Sequence, residues 1–230
     1  MRMVNMGKVA AAAVLACGLA TANAEAGFVL EVSDGSSTVT VTDGGIGDSA
    51  ASGGTILWAG SIGSFFLNVI TGDSKPILSN SMNLNYSVRS TGLGGTLTLK
   101  LTDTDFNASG GAHSFIAADI GGGVAGSTTR YRTYSDAGNA EFGMTNLLFD
   151  SGVLAPPPAA QAVAGDGSVV GNPFSLTQVI EITHAGFRGN TASTISSGDA
   201  RVSVPEPGSM LLLGAGLLGF AASLRRRAAK

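Results

Sequence analysis

Gly94-Gly95-Thr96-Leu97-Thr98-Leu99-Lys100-Leu101-Thr102 is the stretch that decides the fold class. Leucine recurs at positions 97, 99 and 101, with threonine or lysine between. Successive side chains of an extended chain point to opposite faces. The pattern therefore predicts a strand whose leucines face a core while threonine and lysine face out. The glycine pair before it supplies turn chemistry.

The same signature repeats on both sides of this stretch. Gly27–Val32 is a first strand, ended by the turn residues Asp34-Gly35. Thr38-Val39-Thr40-Val41-Thr42 alternates strictly and makes a hairpin with it. Asp43 to Gly54 is a Gly/Asp/Ser loop, and Ile56-Leu57-Trp58 opens the next apolar stretch. Phe65, Leu67 and Val69 alternate with Phe66, Asn68 and Ile70, which predicts one strongly buried face. Trp58, the only tryptophan, is expected to anchor the core rather than to stack on a sugar. Leu84–Arg89 alternates again. Beyond Thr102, strands are expected at Ser114–Ala118, Thr128–Tyr134, Leu147–Phe149, Phe174–His184 and Ala200–Val204. Residues 155–171 are rich in Pro, Ala and Gly around Pro156-Pro157-Pro158, and read as a surface loop. About ten short strands predict an all-β, antiparallel two-sheet sandwich, immunoglobulin-like or jelly-roll-like. The strands after the loop are too few for a second core and belong to the same sandwich.

The sandwich spans residues 25–204. It carries 15 acidic and 7 basic residues, a net of −8, whereas the whole chain has −3. The difference arises because six of the 13 basic residues sit near the two termini. An acidic body of this kind repels nucleic acid, so no nucleic-acid partner is expected. Cys17 is the only cysteine, so no disulfide staples the body and its stability must come from the core.

Motif matches in the body are weak. Gly121, Gly123 and Gly126 fit a dinucleotide fingerprint, but the β-forming Ser127–Tyr131 follows where a helix N-terminus is required. His113 and His184 stand in no metal-ligand spacing, and no G-x-S-x-G elbow is present. Asp103 and Asp105 close the strand that begins at Gly94-Gly95, spaced as an outward pair, and like Asp43 with Asp48 they read as turn formers before they read as calcium ligands. Asn85-Tyr86-Ser87 and Asn107-Ala108-Ser109 fit the N-x-S acceptor pattern. No catalytic, cofactor or metal residue is assigned, and the body is expected not to be an enzyme.

The termini are more specific. Residues 1–24 carry Arg2 and Lys8, an apolar run from Val9 to Ala20, and the small residues of an A-x-A site at Ala22 and Ala24. This is a signal-peptide helix for the Sec translocon, with signal peptidase cutting after Ala24. At the other end stand Val204-Pro205-Glu206-Pro207, then a hydrophobic helix over 209–224, then Arg225-Arg226-Arg227. Each proline disfavours helix in the residue before it, so the tripeptide is an extended handle. The 15 residues Met210–Leu224 make about 23 Å of helix, short of the roughly 20 residues of a stable span. The arginines hold that end on the cytoplasmic side.

Residues 205–230, read in that order, resemble the PEP-CTERM sorting signal of exported bacterial proteins. The resemblance is confined to the tail. It implies recognition of Pro205-Glu206-Pro207 by an exosortase, transient membrane insertion with Arg225, Arg226 and Arg227 as the stop, removal of the helix, and delivery to the cell surface or extracellular matrix. It also implies a Gram-negative, exopolysaccharide-producing setting. The expected function is then structural or adhesive, with exopolysaccharide as a further partner. Two alternatives stand beside it. One is a secreted carbohydrate-binding module using Tyr131 and Tyr134 beside Arg130 and Arg132, although residues three apart in a strand face opposite sides. The other is a secreted hydrolase using His113 or His184 beside a carboxylate.

Overall fold

The computed structural model describes residues 27–78, 81–91, 93–107, 116–124, 127–155, 159–165, 172–186 and 193–203. Among these residues twelve strands follow in order: β1 (Val29–Ser33), β2 (Thr38–Thr42), β3 (Thr55–Ile62), β4 (Phe65–Asp73), β5 (Ser81–Thr91), β6 (Gly95–Phe106), β7 (Ile116–Val124), β8 (Ser127–Asp136), β9 (Asn146–Leu154), β10 (Ala159–Gly165), β11 (Phe174–His184) and β12 (Ser193–Ser203). They form two six-stranded sheets, β2-β1-β6-β11-β8-β9 and β10-β7-β12-β5-β4-β3. Every pairing is antiparallel.

The strand order selects between the two sandwich types. From β5 onward each connection crosses between the sheets, except the β8–β9 hairpin. The resulting quartets, β10-β7-β12-β5 and β6-β11-β8-β9, have jelly-roll connectivity. The hairpin β1–β2 widens one quartet beside β6, and β3–β4 widens the other beside β5.

The leucine row of β6 does what its alternation requires. Leu97, Leu99 and Leu101 are fully buried, facing Phe65, Leu67, Ile70, Leu84 and Val88 among the core residues of the second sheet. Burying one such side chain contributes about 2 kcal/mol. Gly94 makes the entry turn at φ 64°, and a β-carbon there would strike the backbone at His184 and Gly186. Gly198 lies opposite Tyr86 in the β5–β12 ladder, where a β-carbon would sit 2.5 Å from the tyrosine hydroxyl.

Three expectations are corrected. Residues 155–171 are not all loop, because Ala159–Gly165 pairs along β7 as an edge strand. An edge needs a partner on one side only, so a short run of small residues suffices. Second, a bulge between Leu67 and Val69 shifts the alternation of β4. The buried residues are Phe65, Leu67 and then Ile70, because an extra residue in one strand re-aims those after it. Third, Asp103 and Asp105 do not close β6 as an outward pair. The strand runs on to Phe106, with Asp103 inward and fully buried and Asp105 exposed at φ 60°. Trp58 is half-buried on the edge strand β3, packed against the rim of the core and over Gly60. The expectations at 1–24 and 205–230, including both terminal helices, lie outside the described residues.

Candidate functional site

The outward residues of the first sheet line up across the strands. One row runs Thr40, Glu31, Lys100, Val179, Arg132, Asp150; the next runs Thr38, Ser33, Thr98, Glu181, Arg130, Val153. A third includes Thr102, Thr177, Tyr134 and Leu147. The sequence places these residues outward because each alternates with a core residue: Lys100 between Leu99 and Leu101, Glu181 between Ile180 and Ile182.

Opposite charges meet along and between the rows. Lys100 Nζ donates to Glu31 Oε1 at 2.7 Å, and Arg132 Nη2 pairs with Glu181 Oε2 at 2.6 Å. Arg130 holds Asp150 by two hydrogen bonds, one of them Nε to Oδ1 at 2.9 Å. That guanidinium keeps the Asp150 carboxyl below the usual range, and Asp150 in turn raises Arg130. Arg132 Nη1 also donates to the Tyr134 hydroxyl at 3.3 Å. The Arg132 Nε–H is buried and has no hydrogen-bond partner among the described residues.

Between these side chains lies a groove of about 450 Å³, within the roughly 300–1,000 Å³ of small-ligand sites. Its floor includes Val179 and Thr98, one wall Glu31, Ser33 and Gly35, and the other Arg132, Tyr134 and Glu181. Val179 is an outward apolar residue yet only 4% exposed. Long neighbouring stems cover such a residue while their charged heads stay wet.

The β8–β9 loop closes one end of the groove with Met144. Asp136 folds that loop by accepting from Thr145 Oγ1 at 2.7 Å and from the Ala140 N–H at 3.1 Å. These bonds, the threonine first, lower the Asp136 pKa. The Phe142 N–H donates to Thr102 Oγ1 at 3.1 Å, and the Phe142 ring lies 5.9 Å from Lys100 Nζ. Asn139 exchanges two hydrogen bonds with Asp105, at 2.8 and 2.7 Å. Asp105, Asn139 and Phe142 all have φ between 52° and 60°.

The remaining candidates fall elsewhere. Tyr131 and Tyr134 do not make one patch: Tyr131 is buried in the core, where its hydroxyl accepts from Gln178 Nε2 at 2.6 Å, and only Tyr134 faces the groove. Arg130 and Arg132 share the outward face with Tyr134. His184 lies in the core, edge-on to Phe65 at 5.7 Å, and burial lowers its pKa. His113 is outside the described residues. Asp43 Oδ2 accepts from the Gly54 N–H, and Asp48 accepts from the N–H groups of Gly44, Ala50 and Leu57. Asn85 sits mid-strand in β5, whereas Asn107 is exposed just past β6. No group of three metal-ligating side chains occurs among the described residues.

Asp103 marks the far end of the core. Its Oδ2 accepts from Ser74 Oγ at 2.5 Å and lies 3.5 Å from Lys75 Nζ, so it ties the β4–β5 connection to the opposite sheet. Burial pushes its pKa up, against the opposing pull of Ser74 and Lys75. Lys75 Nζ also donates to the Thr104 carbonyl and lies 4.3 Å from the Phe106 ring centre. Sequence reading missed both this lock and the groove. The lock continues the leucine alternation of β6 by one step, so period-two counting could have found it. The groove draws on β1, β6, β8 and β11, whose adjacency is set by topology alone.

No curated protein matches the chain. Among solved structures, the K1 cleaved adhesin domain of Lys-gingipain from Porphyromonas gingivalis W83 is similar at 14% identity and a TM-score of 0.27, over 66% of this chain and 99% of that one. So low a TM-score carries nothing from that adhesin to this protein. A family model does match the tail, over residues 203–227, and its description is the PEP-CTERM protein-sorting motif. That span contains Pro205-Glu206-Pro207 and Arg225-Arg226-Arg227. The chain is therefore an exported, exosortase-processed protein routed to the cell surface or extracellular space, identified by the PEP-CTERM motif at its C-terminus.

Proposed function

We propose that this protein is a non-enzymatic β-sandwich with a structural or adhesive role in the exopolysaccharide-associated matrix of a Gram-negative bacterium. The sorting motif at 203–227 carries the reading. The route begins at the Sec translocon, and signal peptidase cuts after Ala24. The helix over 209–224 then holds the chain in the inner membrane, with Arg225–Arg227 on the cytoplasmic side. Glu206, between two helix-opposing prolines, is the residue the exosortase reads. The tail sets the destination, and the sandwich acts there by contact rather than by turnover. Glu206→Ala should leave the chain in the membrane fraction with its tail attached. Unchanged processing and surface delivery of that variant would sink the sorting role given to Glu206.

A further inference from the structure

We infer that the groove on the outer face of the first sheet is a binding site for a neutral saccharide. This rests on the adhesive reading above and names the ligand class it would need. Four ionic side chains line the groove, two of each sign: Glu31, Glu181, Lys100 and Arg132. They form two cross-strand pairs, at 2.7 and 2.6 Å, so the lining is locally balanced in charge. A balanced lining offers charge-assisted acceptors and donors side by side. That suits hydroxyl groups, which donate to a carboxylate and accept from an ammonium or guanidinium at once.

A ligand of either net charge would meet one member of each pair as a repulsive neighbour. A polyanion would also face the field of a body with net charge −8. Apolar surface is present too, from exposed Met144 and the ring of half-buried Tyr134. A sugar ring offers the matching combination, apolar C–H faces with a polar rim. The Ser33 and Thr98 hydroxyls, also in the lining, extend the polar side.

The outer face of the second sheet is a built-in control. Arg89 is exposed there and lies 5.4 Å from the Phe66 ring, remote from the groove.

The test uses the full-length chain, purified in detergent micelles, on an array of neutral glucan, galactan and mannan oligosaccharides, with alginate as a polyuronate. The expected result is retention of at least one neutral oligosaccharide. Lys100→Met and Glu31→Gln should each weaken it about tenfold, Tyr134→Ala should abolish it, and Arg89→Ala should leave it unchanged. Thermal unfolding is measured in parallel; if Tyr134→Ala does not fold, Lys100→Met decides. Three results would overturn the proposal: no neutral oligosaccharide retained, retention indifferent to Lys100 and Glu31, or preference for alginate that fades with added salt. Binding by the purified chain is independent of surface delivery, so this test and the Glu206 test fail separately.

Discussion

The two faces of the first sheet put polar side chains to opposite uses. On the inner face, Asp103, Tyr131, Gln178 and His184 are buried among leucines and isoleucines. Several reach the other sheet or its connections: Asp103 to Ser74, Gln178 to the Ala200 carbonyl, His184 to Phe65. On the outer face, Glu31–Lys100, Arg132–Glu181 and Arg130–Asp150 keep between 22% and 40% of their side-chain surface in water. Alternate residues of β6, β8 and β11 supply the inner set and, with Glu31 of β1 and Asp150 of β9, the outer one. Asp103 Oδ1 and Gln178 Oε1 are already buried without a partner among the described residues, and losing the bonds that remain would add further unpaired buried atoms. The outer groups can exchange partners with solvent or a ligand at small cost. Stability therefore belongs to the inner polar set and binding to the outer one.

Substitutions can break that division, starting with the lock at the end of the core. Asp103→Ala strips Ser74 and Lys75 of their shared partner and should cost about 3 kcal/mol, read as a lower urea midpoint. A loss no larger than that of an outer-face variant would erase the contrast. Tyr131→Phe removes the hydroxyl that accepts from Gln178 and should cost about 1–2 kcal/mol, whereas Tyr134→Phe should be nearly silent. Equal effects of the two would contradict the placement of Tyr131 inside.

His184 sharpens the contrast through pH. Burial depresses its folded pKa, so the unfolded chain takes up the proton first on acidification. Its contribution is complete above the unfolded value of about 6.5 and is lost as pH falls below it, by at most about 1.4 kcal/mol per pH unit. Asp103, whose folded pKa is raised, acts with the opposite sign: stability rises as pH falls through its folded value. Comparing wild type with His184→Leu at pH 7.5 and 5.5 isolates the histidine, and a wild-type pH slope unchanged by the substitution would refute its role. The smallest expected effect is on the outer face, where Lys100→Met should change stability by less than about 1 kcal/mol. A larger loss would make the ladder a structural element.

Much of this fold is legible from period-two alternation. Leu97, Leu99 and Leu101, Thr38–Thr42 and Leu84–Val88 each declare a buried and a wet face, and the structure places them so. Alternation fails where the backbone breaks step. The bulge after Leu67 hands the buried position to Ile70, and no local signal announces it. It fails again where a strand is made of small residues, as in Ala159–Gly165, whose pairing depends on β7 lying alongside. The choice of a jelly roll rests on which sheet each strand joins, a long-range property that spacing does not encode. The groove was hidden for the same reason, since Glu31 and Arg132 are 101 positions apart in the chain. The tail is the reverse case. Its chemistry is wholly local, and Pro205-Glu206-Pro207 with Arg225–Arg227 could be read without any fold.

Mass spectrometry of both termini of the protein recovered from the cell surface reads directly whether the tail is an address removed on delivery. The expected chain begins at Glu25 and lacks Met210–Leu224. A surface form that still runs through to Lys230 would contradict it.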